Sequence, residues 1–406
     1  MGKITNLALS DIKVLDLTRA VAGPTCTRAL AEMGAEVIKI ESAPDGDFAR
    51  GVCVFKNDRS LYYMQQNRGK KSVCINLKEP RGIEIVKGLV ASVDVVVENF
   101  KPGVLDALGL GYEELVTIKK DIILCSISTL GQTGPLAQLA GYDFIGQAYS
   151  GMTSMVGEPE EPPALIGAAI GDASTGIHGA LGILAALRRR DRDGVGDHLD
   201  VSILDTYYSY HDANVVTCSG SERTQSPSRE GSHYGYVCPA GIFRGNGGYV
   251  VIAAFMHHWP DFCHAIERDD LIENPDFCDD TVRLERRETV IAIIEKWLGG
   301  FDDITTPVQI LQDANVPCAP VLSVSDTLDQ PHLRARGTVR TVIDPIHGEV
   351  DIPGWPIRWK THPNNIDLDA PTLGEHNEEV LSQRLGKNES EIRDLEQQGI
   401  LRKGTA

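Results

Sequence analysis

The chain has 406 residues, 42% of them hydrophobic and 24% charged, which is enough apolar material for a large core and for more than one globular unit. Its 39 lysines and arginines stand against 57 aspartates and glutamates, a formal net charge of −18. This excess of acid argues against sequence-independent binding to nucleic acid or to an anionic membrane surface. The nine cysteines are scattered singly without a C-x-x-C pair, which is typical of reduced thiols in a cytoplasmic protein.

Short β-branched segments alternate with helical patterns over the first 130 residues, which predicts a parallel sheet with helices on both faces. Strands are predicted at 12–17, 36–41, 72–77, 94–98 and 122–127. Helices are predicted at 24–33 and 80–91, each with a proline at its first residue. No GxGxxG string follows the first strand, so the pattern indicates a doubly wound, Rossmann-like α/β domain without a nucleotide redox cofactor.

Residues 164–187 form the longest weakly polar stretch, but Asp172 and His178 lie within it, which favours a core helix over a membrane span. A helix is predicted at about 174–190. Its interior glycines, at about 1 kcal/mol each, indicate that another backbone or a ligand approaches closely. A shift to Ser, Arg, Gly and Pro after residue 219 predicts three parts: a large α/β domain (1–224), a small α+β domain (225–330) and a C-terminal segment (331–406) that returns to the large domain.

Asp172 lies between small residues at the predicted head of this helix, in the string GDASTG. A carboxylate at a helix start is most often an N-cap. The alternative is a nucleophile, because small neighbours leave room for a bulky reacting group and a helix N-terminus stabilises a carboxylate and an adjacent oxyanion. The residues alone leave both interpretations open.

Ten short strings occur in a fixed order along the chain. They are VLDLTR (14–19), AGP (22–24), GAEVIKIE (34–41), NRGKKS (67–72), ENFKPG (98–103), GYD (141–143), GD (171–172), VPCAPV (316–321), PHLR (331–334) and LGEH (373–376). Over nearly the whole chain this series resembles the class III CoA-transferases, the family of formyl-CoA transferase and carnitine CoA-transferase. The resemblance implies a homodimer of two interlocked rings, with a related second subunit as the alternative, and acyl-CoA and a carboxylic acid as substrates.

The resemblance also implies that Asp172 attacks the thioester of a donor acyl-CoA and becomes an aspartyl-CoA thioester, which an acceptor acid then opens. The residues at CoA-lining positions, together with the basic cluster expected to bind the CoA phosphates, are Val21, Ala22, Arg68, Lys71, Ile75, Lys78, Asn99, Phe100, Lys101, Tyr142 and Asp143. Many relatives have arginine where Ser42 and Ala107 stand, and Arg50 or Lys101 is expected to replace them.

The acceptor implied by the resemblance is a hydroxydicarboxylate such as malate or citramalate, with succinyl-CoA as donor, as in members that serve autotrophic carbon fixation. Itaconate, mesaconate, carnitine, oxalate and aryl acids stay open. A second carboxylate calls for a cationic or imidazole partner, and the candidates are Arg19, Arg50, His233 and Arg244.

Two other functions remain as alternatives to transfer. The resembled family also includes racemases or epimerases of 2-methylacyl-CoA, which carry a Gly-His-Asp string where this chain has Gly-Tyr-Asp. Tyr142 is a poor general base near pH 7, which favours transfer. The other alternative is a non-catalytic acyl-CoA binding protein. No metal is expected, because Asp197, His198 and Asp200 precede an apolar run and are interpreted as hydrogen-bonding groups at a strand edge.

Overall fold

The computed structural model describes residues 7–361, 363, 366 and 368–404. The described residues fall into two compact units, the first within Met1–Met152, Ile166–Asp212 and Pro331–Ala406, the second within Thr153–Leu165 and Ala213–Gln330. The second unit therefore includes residues 153–165 and 213–224, which the composition shift places in the large domain. The segment 153–165 is held in the second unit by Arg229, whose guanidinium donates to the carbonyls of Ser154, Glu158 and Pro159 at 3.1–3.4 Å.

The first unit, up to residue 212, alternates strands with helices. Its strands are β1 (Lys13–Asp16), β2 (Glu36–Ser42), β3 (Phe55–Lys56), β4 (Arg59–Ser60), β5 (Lys70–Ile75), β6 (Val95–Glu98), β7 (Ile123–Ser128) and β8 (Asp197–Ser202). Its helices are α1 (Ala22–Glu32), α2 (Leu61–Asn67), α3 (Pro80–Val90), α4 (Val104–Ala107), α5 (Tyr112–Ile118), α6 (Asp143–Tyr149), α7 (Ile170–Asp193) and α8 (Ile203–Ser209). Each predicted strand overlaps β1, β2, β5, β6 or β7, and the two proline-led helices correspond to α1 and α3.

The second unit packs helices around a small antiparallel sheet, in which β10 pairs with both β9 and β11. Its elements are α9 (Ala213–Gly220), β9 (Ala240–Gly245), β10 (Gly248–Ala253), α10 (Trp259–Ala265), α11 (Asp280–Glu285), α12 (Arg287–Leu298), α13 (Thr305–Asp313), β11 (Cys318–Pro320) and α14 (Val324–Asp329). Phe243, Val250 and Phe262 are among the wholly buried residues of its own core.

The chain then re-enters the first unit through α15 (Pro331–Ala335), the hairpin β12 (Val339–Asp344) and β13 (Gly348–Pro353), α16 (Asn377–Leu385) and α17 (Glu389–Gln397). The segment after α17 lies along the edge strand β5. Here the Asn76 N–H donates to the Ile400 carbonyl at 2.8 Å and the Arg402 N–H donates to the Cys74 carbonyl at 3.1 Å.

The large sheet of the first unit is parallel, with the order β5-β2-β1-β6-β7-β8. The chain moves outward from β1 to one edge and then outward from β6 to the other, which is the order of a doubly wound sheet and confirms the predicted α/β class. The connections leave β1 and β6 in opposite directions, so a crevice opens beyond the carboxyl ends of these two neighbouring strands.

Both faces of this sheet are covered, because alternate side chains of each strand point to opposite sides. Leu15 and Ile38 belong to the core beneath α3, α16 and α17. Val14 and Val37 belong to the core beneath α1 and α7. The two-sided burial explains why these strands carry apolar residues on both faces rather than in strict alternation with polar ones.

Helix α7 begins four residues before its predicted start, so Asp172 lies in its first turn. The expectation that its glycines allow a close backbone approach is confirmed at Gly176, where a Cβ would lie 2.5 Å from the carbonyl oxygen of Ala22 and 3.0 Å from the nitrogen of Cys26 on α1. By length and composition α7 would qualify as a membrane-spanning helix, as core helices of globular proteins often do. Here it packs on α1 and β7.

Candidate active site

A cavity of about 400 Å³ lies at the crevice between the ends of β1 and β6. Its walls come from the loop after β1, the start of α1, the residues after β6 and β7, and the first turn of α7. Of the residues singled out in the sequence, those that line it are Arg19, Val21, Ala22, Asn99, Phe100, Lys101, Tyr142 and Asp172. The segments that follow β1 and β6 thus meet Asp172 of the GD string in one site.

Asp172 lines this wall from the first turn of α7 and is not the N-cap residue of the helix. The N-cap residue of α7 is Ala169, which makes no side-chain cap. The interpretation of Asp172 as an ordinary N-cap is therefore wrong. Its backbone N–H donates instead to Oδ2 of Asp143 at 2.8 Å.

Asp143 and Tyr207 satisfy the first amides of α7 from outside the helix. Asp143 is 5% exposed, and its Oδ1 accepts the Tyr207 hydroxyl at 2.8 Å. The same hydroxyl oxygen accepts the Gly171 N–H at 3.0 Å. A Cβ at Gly171 would lie 2.1 Å from the Tyr207 ring, so this glycine makes room for Tyr207 and not, as the sequence suggested, for a reacting group. Asp143, predicted to line the CoA site, lies beneath the helix end.

Burial, followed by the negative charge of Asp143, raises the pKa of Asp172 to about 7. The helix N-terminus acts in the opposite direction, since it favours a carboxylate. Burial and the neighbouring acid therefore outweigh the stabilisation of the ionised form that we expect from the helix end. A carboxylate of this basicity is a better nucleophile than a solvated one, and about half of it is ionised near pH 7.

Tyr62, on α2, is a second neighbour of Asp172 that the sequence did not single out. Burial, followed by the charge of Asp172, raises the pKa of Tyr62 to about 12. The phenol therefore stays protonated at neutral pH and keeps its hydrogen-bond donor. Nothing in the local sequence around Tyr62 distinguishes it from its buried neighbour Tyr63, so it could not be chosen without the fold.

The loop after β1 is fastened to the residues after β6 by a side-chain amide. The Arg19 N–H donates to Oδ1 of Asn99 at 2.9 Å, and Nδ2 of Asn99 donates to the Arg19 carbonyl at 2.8 Å. The Arg19 guanidinium lies 5.5 Å from the centroid of the Phe100 ring. Among the residues that the structure describes, Arg19 and Lys101 are the basic side chains of the cavity wall, and both residues are exposed.

The predicted phosphate-binding cluster lies apart from this cavity. Arg68 is 2% exposed and forms an ion pair with Glu32 at 2.5 Å. Lys71 bridges Glu36 and Glu379, with both N–O distances at 2.8 Å. Both side chains therefore join elements of the first unit through ion pairs, and neither is among the residues that line the cavity.

Three further candidates have other surroundings. Ile75 is wholly buried at the end of β5, and Lys78 is exposed beyond it. Arg50 donates to both carboxylate oxygens of Glu41, at 2.8 and 2.7 Å, and lies 3.6 Å from the centroid of the Tyr63 ring. Because its guanidinium is already engaged, Arg50 is a poor replacement for the arginines that Ser42 and Ala107 displace.

His233 and Arg244 belong to the second unit, where the His233 ring contacts Phe243 with a 5.1 Å centroid separation. The three residues considered as metal-like have other partners, and for Asp197 the partner is Arg189, which donates to its Oδ2 at 2.5 Å. Nε2 of His198 lies 2.9 Å from Oγ of Ser126, and Oδ2 of Asp200 accepts a backbone N–H at 2.9 Å. These are the strand-edge hydrogen bonds that the sequence predicts.

A model of the CoA-transferase family III matches residues 9–377. The chain belongs to CoA-transferase family III. Human succinyl-CoA:glutarate CoA-transferase is 32% identical over 400 residues, which cover 97% of this chain and 90% of that protein. The succinyl-CoA:mesaconate CoA-transferase of Haloarcula marismortui is 36% identical over 93% of this chain and 96% of its own length.

The fold agrees with this assignment. The crystal structure of a CAIB/BAIF family protein from Brucella suis has a TM-score of 0.82 and 31% identity, covering 93% of this chain and all of that one. The expected membership of the class III CoA-transferases is thereby confirmed, and the protein is an enzyme of that family.

Proposed function

We propose that this family III enzyme transfers CoA from succinyl-CoA to a dicarboxylic acid, with Asp172 as the covalent carrier. The observation that carries the proposal is one half-buried carboxylate of pKa about 7 in the wall of a cavity of about 400 Å³, a wall that also carries two basic side chains. The names of the glutarate and mesaconate transferases support it, because both acids carry two carboxylates.

The reaction proceeds through two exchanges on Asp172. An Oδ atom of Asp172 attacks the carbonyl carbon of succinyl-CoA, the C–S bond breaks, and a mixed anhydride and CoA thiolate form. The thiolate then attacks the aspartyl carbonyl, which releases succinate and leaves aspartyl-CoA thioester. The acceptor carboxylate then attacks this thioester, the C–S bond breaks, and a second mixed anhydride and CoA thiolate form. The thiolate attacks the acceptor's carbonyl carbon in the anhydride, which releases the new acyl-CoA and restores the Asp172 carboxylate.

The CoA chain is assigned to the wall formed by Val21, Ala22, Asn99, Phe100 and Tyr142. Lys101 is assigned to a CoA phosphate, in place of the arginines that relatives carry at the positions of Ser42 and Ala107. Its exposed ammonium group lies at the cavity wall and suits an anion that stays partly in solvent.

Arg19 is assigned to the second carboxylate of the acceptor. It is the other basic residue of the cavity wall among the described residues, and a guanidinium binds a carboxylate through two parallel hydrogen bonds. Malate and citramalate are the specific acceptors expected from the sequence. The homodimer and the cytoplasmic location remain part of the proposal.

The test combines succinyl-CoA with malate, citramalate, mesaconate and glutarate, and with monocarboxylates of the same chain lengths, and follows new thioesters by mass spectrometry. CoA attached to the peptide that contains residue 172 during turnover is the expected intermediate. Equal turnover of monocarboxylates, or productive turnover without CoA on that peptide, would contradict the proposal.

Arg19→Met and Lys101→Met form a matched pair. Loss of one charge-assisted contact costs roughly 1.5–3 kcal/mol, or about 10- to 100-fold in affinity. We expect Arg19→Met to raise the KM of the dicarboxylate by this factor while the affinity for CoA changes little. Lys101→Met should weaken CoA binding by the same factor while the KM of the dicarboxylate changes little. If both variants weaken the binding of CoA and of the acceptor alike, the assignment of the two cations is refuted.

A further inference from the structure

The loop between β1 and α1 holds an unusual backbone conformation at the cavity wall. Ala20 has φ +69°, in the left-handed region that L residues rarely adopt because Cβ approaches the carbonyl oxygen. Ala20 and both of its neighbours line the cavity together with Asp172. A strained wall residue keeps its position only where surrounding contacts hold it.

Two buried side chains hold this loop from below. Nζ of Lys39 donates to the Thr18 carbonyl at 2.7 Å, and the Ala20 N–H donates to Oδ1 of Asp47 at 3.2 Å. Lys39 and Asp47 form an ion pair with an N–O distance of 3.0 Å, and their side chains are 0% and 1% exposed. The two ends of one ion pair are therefore bound to the backbone on either side of Arg19.

Asp47 also holds a second segment of the wall. Its Oδ1 accepts the Ala49 N–H at 3.0 Å and so caps the short 3-10 helix Phe48–Gly51. Phe48 in that helix lines the cavity. One carboxylate thus sets the distance between the Ala20 loop and the segment that carries Phe48.

The charges around this pair are balanced. Two other buried or largely buried ion pairs lie beside it, Lys70 with Asp16 at 3.0 Å and Arg50 with Glu41 at 2.7 Å. Each of the three pairs contributes one charge of either sign. Replacing both members of a pair with apolar residues of similar volume leaves no uncompensated charge behind, whereas replacing one member does.

We propose that Lys39 and Asp47 are positioning residues for CoA binding, which hold Ala20 in its left-handed conformation and thereby fix the wall against which CoA lies opposite Asp172. The proposal rests on the CoA site of the proposed function, but not on the identity of the acceptor. The buried pair acts through the loop and through Phe48 and does not touch substrate.

The test is the double variant Lys39→Met/Asp47→Leu. It removes the hydrogen bonds of Lys39 to the Thr18 carbonyl and of the Ala20 N–H to Asp47, and it leaves the net charge unchanged. Its control is Lys119→Met/Asp94→Leu, which removes the Lys119–Asp94 ion pair (3.4 Å) and with it the Arg190–Asp94 contact (2.9 Å). Asp94 directly precedes β6, so this control lies at the amino ends of the strands, away from the carboxyl ends where the cavity opens. Hydrogen exchange of the peptide 17–23 is measured without substrate. Binding of CoA is measured by calorimetry.

We expect exchange in peptide 17–23 to accelerate at least ~10-fold in the first variant, since the Ala20 amide loses its acceptor. CoA should bind about 10- to 100-fold more weakly, the loss that follows from a displacement of about 1 Å. The control should stay within about 2-fold of the wild type in both measurements, even if its unfolding midpoint falls equally. If Lys39→Met/Asp47→Leu does not fold, Lys39→Met/Asp47→Asn should show the same changes at smaller size.

Unchanged exchange of this peptide, or CoA affinity within 2-fold of the wild type, would overturn the positioning role, as would equal losses in the control. The exchange measurement needs no substrate, so it tests the hold on Ala20 even if the wild type proves to use other acids. Absence of CoA binding by the wild type would contradict the proposed function instead.

Discussion

Asp172→Asn is expected to abolish transfer and, above pH 7, to make the protein more stable. The amide is a far poorer nucleophile than the carboxylate, so no aspartyl-CoA thioester should form. The backbone N–H that binds Asp143 is unchanged by the substitution. The fold and the affinity for CoA should therefore be retained, and the loss of activity has a chemical cause.

The gain in stability follows from the raised pKa. Burial, and then the charge of Asp143, raise the pKa of Asp172 from 3.8 to about 7, so the folded state disfavours the ionised form. A shift of about 3 units corresponds to about 4 kcal/mol. Because the pKa is higher in the folded than in the unfolded state, ionisation of Asp172 lowers the free energy of unfolding. This destabilisation is absent below about pH 4, grows between the two pKa values, and is complete above about pH 7. Since Asp172 is only partly shielded from solvent, we expect about 1–4 kcal/mol.

The assay is urea unfolding of wild type and variant at one protein concentration, at pH 5 and pH 8. Fixed concentration matters because any association of subunits contributes to apparent stability. The difference between the two proteins should favour the variant at pH 8 and be only about 40% as large at pH 5, which lies about one unit above the unfolded pKa of the carboxyl group. A difference that is the same at both pH values would refute the claim that the Asp172 charge is destabilised in the folded protein. Retained activity in freshly purified, non-deamidated variant would refute its role as nucleophile.

Two further predictions concern the neighbours of Asp172. Asp143→Asn removes a negative charge, so the acidic limb of the pH–rate profile, which we expect near pH 7 in the wild type, should move to lower pH; it should stay above 4 because burial, the larger cause, remains. Gly176→Ala places a methyl group against the backbone of α1 and should cost about 1–3 kcal/mol of unfolding free energy. Gly182→Ala on the same helix meets a side chain at 3.4 Å and should instead stabilise by about 0.5–1 kcal/mol, so equal signs in urea unfolding would contradict the packing argument.

The sheet could be predicted from the sequence because its strands are apolar on both faces. Val95, Val96 and Val97 are all wholly buried, and such a run is unmistakable. β8 could not be found in this way, since it is an edge strand with charged and half-exposed residues. Local composition also failed to assign residues 153–165, whose place in the second unit depends on contacts with Arg229, about 70 residues later.

The site was predictable where a side chain acts alone and unpredictable where it depends on a distant partner. Asp172 could be proposed from its string, but its pKa depends on Asp143, 29 residues earlier. Arg68 belongs to a basic run that suggested phosphate binding, yet Glu32, 36 residues earlier, holds it in the core. Sequence gives the charge of a side chain; whether that charge faces water or another charge is decided by the fold.

The environment of Asp172 favours the covalent state in the proposed reaction. The free carboxylate carries a charge that burial and Asp143 disfavour, whereas the aspartyl-CoA thioester at the same position is neutral. Its formation therefore moves one negative charge from the protein to the departing carboxylate, which is hydrated in solution. The free energy recovered is bounded by the same pKa shift, about 4 kcal/mol. The acid that raises the pKa of Asp172 thus also shifts the equilibrium toward bound CoA, and Asp143→Asn should lower the steady-state fraction of enzyme that carries CoA.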